Sequence, residues 1–123
     1  MNSILQIFGK VFLYIERVWN YCIKVNKMSL FKKVGERVYM SNGCVFTEKN
    51  ISIGNDVYIG KGCCLQSAHG EIIIGNHVMF GPNVHIHGGN HITDCPGLYM
   101  KEVNKKEPGY DGKVVIEDDC WIG

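Results

Sequence analysis

IGNDVY (53–58), IGKGCC (59–64) and LQSAHG (65–70), followed by IGNHVM (74–79), FGPNVH (80–85) and IHGGNH (86–91), share one rhythm. A bulky apolar residue opens each unit of six. A glycine or another small or polar residue often follows, and a small or β-branched residue stands fifth. The rhythm runs back through VGERVY (34–39), MSNGCV (40–45) and FTEKNI (46–51), and returns in IEDDCW (116–121). Taken three units at a time, the first positions align as Val34, Ile53, Ile74 and Ile116, then Met40, Ile59, Phe80 and Ile122, then Phe46, Leu65 and Ile86. Fifth positions give Val38, Val57, Val78 and Cys120 in one column and Cys44, Cys63 and Val84 in another. A helix needs apolar spacing of three and four, and a free strand alternates every second residue. A period of six with glycine at fixed phase fits neither. It fits a chain that turns a corner every six residues, with first and fifth positions inward and glycine relieving the bend. One turn is too narrow to hold a core, so stacking at the strand spacing of roughly 4.8 Å supplies it.

The departures from this rhythm mark where function is expected. Ser52 separates the first coil from the second, and Glu71-Ile72-Ile73 separate the second from the third. After His91 the pattern is lost over ITDCPGLYMKEVNKKEPGYDGKVV (92–115). A long excursion in a small domain is usually functional, and this one, rich in Pro, Gly, Lys and Glu, reads as a solvated loop. It leaves the coil just after His87-Gly88-Gly89-Asn90-His91. Imidazole titrates near neutral pH, which suits a base that must take a proton from a hydroxyl. Of the other histidines, His85 stands at an outward sixth position, His87 at a corner, and His77 toward solvent. His69 takes a fifth, normally inward, position and reads as structural.

The repeat resembles that of the hexapeptide-repeat acyltransferases over residues 34–123. That resemblance implies a mainly β protein, a left-handed parallel β-helix of triangular section preceded here by an α-helix. The stretch GPNVHIHGGNHITD (81–94) is similar to the active-site segment of the sugar and xenobiotic O-acetyltransferases of this superfamily. By that likeness His91 is the general base. An acetyl group passes directly from acetyl-CoA to a hydroxyl of a sugar or polysaccharide precursor in a ternary complex. No nucleophilic cysteine and no metal are needed, and Cys95 and Cys120 are bystanders. Asn90 and Asp94 are candidates to bind acceptor hydroxyls or orient the base, and Tyr99 and Tyr110 to stack on a sugar ring. Trp121, in a Trp-Ile-Gly context, either walls the acceptor and acetyl end of the donor cleft or packs between subunits. The family implies a homotrimer with the site between subunits. Two alternatives stand beside this reading. The γ-class carbonic anhydrases share the fold and bind zinc through three histidines, which His85, His87 and His91 bring to mind, although the residues around His85 do not match that ligand stretch. The other alternative is a non-catalytic scaffold. The sequence stops at Ile122-Gly123, two residues into a hexapeptide, which reads as an incomplete coil domain lacking most of the coenzyme A site.

Composition agrees with one foldable domain: 123 residues, 46% hydrophobic and 20% charged. Fifteen glycines exceed the number that average usage of about 7% would give, as spaced turn residues do. A net charge of +1 makes no case for nucleic acid. The charge is unevenly spread, however. Residues 1–33 carry six basic groups against Glu16 alone, and residues 34–123 carry seven basic against eleven acidic. The two parts are therefore read as an N-terminal amphipathic helix (1–33) and the coil domain (34–123). Within 3–27 the longest apolar run, Val11 to Ile15, is far short of the roughly twenty residues a membrane span needs. Lys10, Arg17 and Lys24 share one helical face and Phe12, Ile15, Trp19 and Cys22 another. Two readings stay open: a helix packed on its own domain or a neighbouring subunit, or one making peripheral contact in the membrane interface. The six cysteines form no C-x-x-C pair, and no secretory signal precedes them, so they are expected to be reduced. The expected location is the cytoplasm, at the inner face of the membrane if the helix binds lipid.

Overall fold

Every coil must change direction three times, and the residues at two of its corners are chosen for that. In the computed structural model, which describes residues 2–123, helix α1 (Ser3–Leu30) leads into β1 (Lys33–Val34), β2 (Tyr39–Met40) and β3 (Val45–Phe46). The second coil holds β4 (Ile51–Ile53), β5 (Tyr58–Ile59) and β6 (Cys64–Ser67), and the third β7 (Ile72–Ile74), β8 (Met79–Phe80) and β9 (His85–Gly88). The chain then returns to the coil as β10 (Val114–Ile116) and β11 (Trp121–Ile122). Each strand pairs in parallel with the one three places on, giving sheets β1-β4-β7-β10, β2-β5-β8-β11 and β3-β6-β9. This is the expected left-handed parallel β-helix, mainly β, with an α-helix in front.

The register follows the sequence columns. Val34 pairs with Ile53, Ile53 with Ile74 and Ile74 with Ile116; Met40, Ile59, Phe80 and Ile122 stack likewise, as do Phe46, Leu65 and Ile86. Ile53, Ile59, Leu65, Ile74 and Phe80 are buried, as are the fifth-position residues Val57, Cys63, Val78 and Val84. Two details differ from the sequence reading. Ile51 and Ile72 are also fully buried, because β4 and β7 begin one turn of the pleat earlier than a strict six-residue count allows. Ser52 and Ile73 are thus outward residues of strands and not spacers. His69 is exposed, and Ser67 is the inward residue instead. The alternation in β6 carries through four residues, so the corner after it comes late and throws His69 outward.

At the first corner Arg37, Asp56, His77 and Asp119 adopt φ between 53° and 57°. A ladder of side chains holds them in place. Asn55 Oδ1 accepts the Glu36 N–H at 2.8 Å, Asn76 Oδ1 accepts the Asn55 N–H at 2.8 Å, and Asp118 Oδ1 accepts the Asn76 N–H at 2.6 Å. Each coil thereby satisfies a backbone donor of the coil before it, a donor that would otherwise be left facing a crowded bend. The second corner uses Gly43, Gly62 and Asn83 in the same left-handed region, at φ 74°, 73° and 59°.

Carboxylates at the first and third corners make the coil sensitive to acid. The guanidinium of Arg37, with Nη2 donating to Asp56 Oδ2 at 2.8 Å, holds the Asp56 carboxyl below its ordinary range. Lys32 does the same for Glu71, the Asn76 N–H for Asp118, and Lys106 for Asp111. Groups whose folded pKa is depressed contribute stability above the unfolded carboxylate values of about 3.9–4.3, and lose it as pH falls through the folded values. Thermal melts should therefore be level from about pH 6 to 7 and drop steadily below about pH 4. A melting temperature that stays level down to about pH 2.5–3, below the ordinary carboxylate range, would contradict this.

α1 reaches the coil only through its last turns. Lys27 Nζ donates to the Cys44 carbonyl at 3.0 Å, and the Lys24 ammonium lies 4.7 Å from the centroid of the Tyr39 ring. Beyond the helix, Phe31 turns inward and meets Phe46 edge-on, with ring centroids 5.2 Å apart. No residue of α1 itself is buried.

Candidate active site

The third corner is where the coils cease to be alike. After β3 it is a short 3-10 turn, Glu48–Asn50; after β6 it is residues 68–71; after β9 it opens into residues 89–113. Every departure from the regular coil is placed on this one edge. An open groove runs along it, lined by Thr47 from the first coil, Gln66 and His69 from the second, and Asn90 and His91 from the third. Its floor is the outer side of β6 and β9, where Gln66 pairs with His87. Asn104 and Lys106 of the excursion close the far side.

His91 is exposed at the start of the excursion. Asn90 precedes it on the same turn. The sequence reading placed these two together, and the structure does so. It does not bring Asp94, Tyr99 or Trp121 to the groove within one chain. Tyr99 is 79% exposed on the excursion. Trp121 is 75% exposed on another face, at the end of an outward column where Tyr39, Tyr58, Met79 and Trp121 stand over one another. Tyr39 and Tyr58 stack there at 5.2 Å with ring planes 8° apart.

One group in the groove escaped the sequence reading. The side chain of Asp111, only 2% exposed, receives the Lys106 ammonium at 2.8 Å and the Asn90 N–H at 3.2 Å. Those contacts hold its carboxyl below the ordinary range, first through Lys106 and then through the Asn90 N–H, so it stays charged. The arrangement clamps the end of the excursion to the residue next to His91. Gly89, at φ 94°, makes room for it, since a Cβ there would stand 2.5 Å from the Asp111 carboxyl carbon. Asp111→Ala should free the excursion, so that trypsin cuts at Lys101 and Lys105 faster than in the wild type. Unchanged cleavage would show that the clamp holds nothing in place.

The remaining chemistry is limited. Burial pushes the Cys63 thiol up, which keeps it protonated and poor as a nucleophile. Cys64, its neighbour, points outward beside Val45 and His85. The His85 and His87 rings are 6.2 Å apart, and among the described residues no three His, Cys, Asp or Glu side chains converge where a metal would sit.

No protein-family profile matches the chain, and no solved structure matches it. Among curated proteins it is similar to the galactoside O-acetyltransferase of Lactococcus lactis subsp. lactis (strain IL1403), with 31% identity over 96 residues. The match takes in 76% of this chain and 43% of the relative, so the chain spans less than half of that protein's length. The aligned portion is long enough to include most of the coils whose register has just been described. Shared sequence and shared architecture agree: over its coils the chain is similar to the hexapeptide-repeat acetyltransferases.

Proposed function

We propose that this protein is an O-acetyltransferase that moves an acetyl group from acetyl-CoA to a hydroxyl of a sugar or polysaccharide precursor, with His91 as the general base. The observation that carries this reading is the position of His91: exposed, on the one irregular corner, in a groove open to solvent, in a fold whose relative is named for O-acetyl transfer. The neutral imidazole takes the acceptor's proton as its oxygen attacks the thioester carbonyl. The tetrahedral species then collapses with loss of the C–S bond, and the imidazolium returns a proton to the departing coenzyme A thiolate. Both substrates are held together, so no acyl-enzyme is required and the buried thiols stay out of the reaction.

Asn90 is placed to bind an acceptor hydroxyl. Asp94, Tyr99 and Trp121 do not line the His91 groove in a single chain, and we assign them to a site completed between subunits of a homotrimer. The outward Tyr39–Trp121 column is then a surface that one subunit presents to the next. Trp121 in this arrangement serves the donor and acetyl end of the cleft. The donor is a cytoplasmic metabolite, which puts the enzyme in the cytoplasm. The direct test supplies radiolabelled acetyl-CoA with a panel of mono- and oligosaccharides, and looks for an alkali-labile acetyl ester. Absence of ester formation with every acceptor would end the proposal.

A further inference from the structure

α1 extends for 28 residues, about 42 Å at 1.5 Å per residue, and meets its own domain along one edge only. The partly covered residues are Asn20, Lys24, Lys27 and Met28, which fall on one side of the helix. Ile4, Phe8, Val11, Ile15 and Trp19 fall on the opposite side and are between 48% and 67% exposed. The polar edge of the helix is thus consumed by the coil, and its apolar side faces away from everything else in the chain. At 100° per residue these five span about 80°, and the exposed Leu5, Ile7, Phe12, Val18 and Ile23 beside them widen the apolar side to about 160°, wider than the stripe that a two-stranded seam covers.

We propose that α1 lies in the surface of a bilayer rich in anionic phospholipid, apolar side toward the acyl chains, with the β-helix held above it by Lys24 and Lys27. Charge decides between lipid and a second copy of the helix. Residues 1–33 hold six basic groups and one acid, and the rest of the chain is net acidic. Lys10 and Arg17 stand on the polar side one heptad apart, neither in an ion pair among the described residues. Arg17 lies beside Tyr39 and Asn42 of the coil and Lys10 beyond it, and their long stems can carry the charge along the helix to headgroup level. Parallel copies of the helix would bring those like charges together, whereas an anionic headgroup layer is complementary to them. Nor does the helix cross the bilayer: among the described residues no helix is long and apolar enough to span one. The inference is independent of the acetyl-transfer reading, and its test does not use activity.

The full chain, carrying Trp121→Phe so that Trp19 is the sole indole, is floated with two kinds of vesicle. One is pure phosphatidylcholine and the other contains about 30 mol% phosphatidylglycerol. The expected result is co-flotation with the anionic vesicles and a blue shift of Trp19 emission, both reduced by about tenfold on phosphatidylcholine or at high salt. A Phe8→Glu/Ile15→Glu variant should stay with the protein fraction while its β-helix melts as before, since both positions are exposed. Equal recovery of wild type and variant in the protein fraction would overturn the proposal. So would a blue shift of Trp19 without vesicles that tracks concentration-dependent self-association, because the apolar side would then be covered by another copy.

Discussion

His91→Ala is expected to reduce acetyl transfer by about 10²–10⁴-fold and to leave the fold as it is. The two halves of that statement rest on different observations. The loss follows from chemistry: without a base, the acceptor hydroxyl must attack while still carrying its proton. The intact fold follows from position. His91 is exposed just beyond β9, its side chain makes no hydrogen bond to the protein among the described residues, and surface changes of this kind usually alter stability by less than about 0.5 kcal/mol. The decrease should appear in kcat, with the KM for acetyl-CoA little changed, because proton removal belongs to the transition state. A variant that retains its rate would remove His91 from the mechanism. The base would then have to be sought among the other imidazoles of the groove, His69 and His87.

The second large effect is on stability. Gly54→Ala should destabilise the protein by about 3 kcal/mol, within the range for forcing extra volume into a packed interior. Coils are stacked so closely at the first corner that a Cβ on residue 54 would stand 2.5 Å from the Gly75 carbonyl oxygen and 2.7 Å from Asn76 Oδ1. The obstruction is backbone, so no rotamer relieves it. To make room, the second and third coils must separate where the Gly54 N–H donates to Ile74 at 2.9 Å and the Asn55 N–H to Asn76 at 2.8 Å. Gly112→Ala provides the comparison. Nothing lies within 4 Å of a Cβ there, and it should change stability by less than about 0.5 kcal/mol. Denaturant titration of the two variants measures the difference, and equal midpoints would mean that the coils are held together less tightly than these distances require.

Much of the coil could be read directly from the residues because its two regular corners repeat. First positions such as Ile53, Ile59 and Phe80 lie inward, and the outward Tyr39–Trp121 column stands in the order the units predict. Counting by six fails where strands lengthen. Ile51 and Ile72 looked like the end of one unit and part of a spacer, yet both are core residues; His69 looked inward and is not. A period describes corners, whereas burial inside a longer strand follows its alternation of two. In the groove, His91 and Asn90 were legible because they sit at the edge of a pattern. The Lys106–Asp111 clamp was not, since the partners of Asp111 lie 5 and 21 residues away and no periodicity links them. The helix was legible as amphipathic, but the edge that meets the coil depends on Tyr39 and Cys44, which only the folded chain brings near.

Confining all irregularity to one edge has an evolutionary consequence. Two edges of the prism are bound to a fixed stride by their ladders and left-handed bends, while the third can lengthen without disturbing them. Doubling a flexible connection adds only about 0.6 kcal/mol of closure entropy. A lineage could therefore trade one protruding segment for another, and with it one acceptor for another, while the body that carries the imidazole keeps its dimensions.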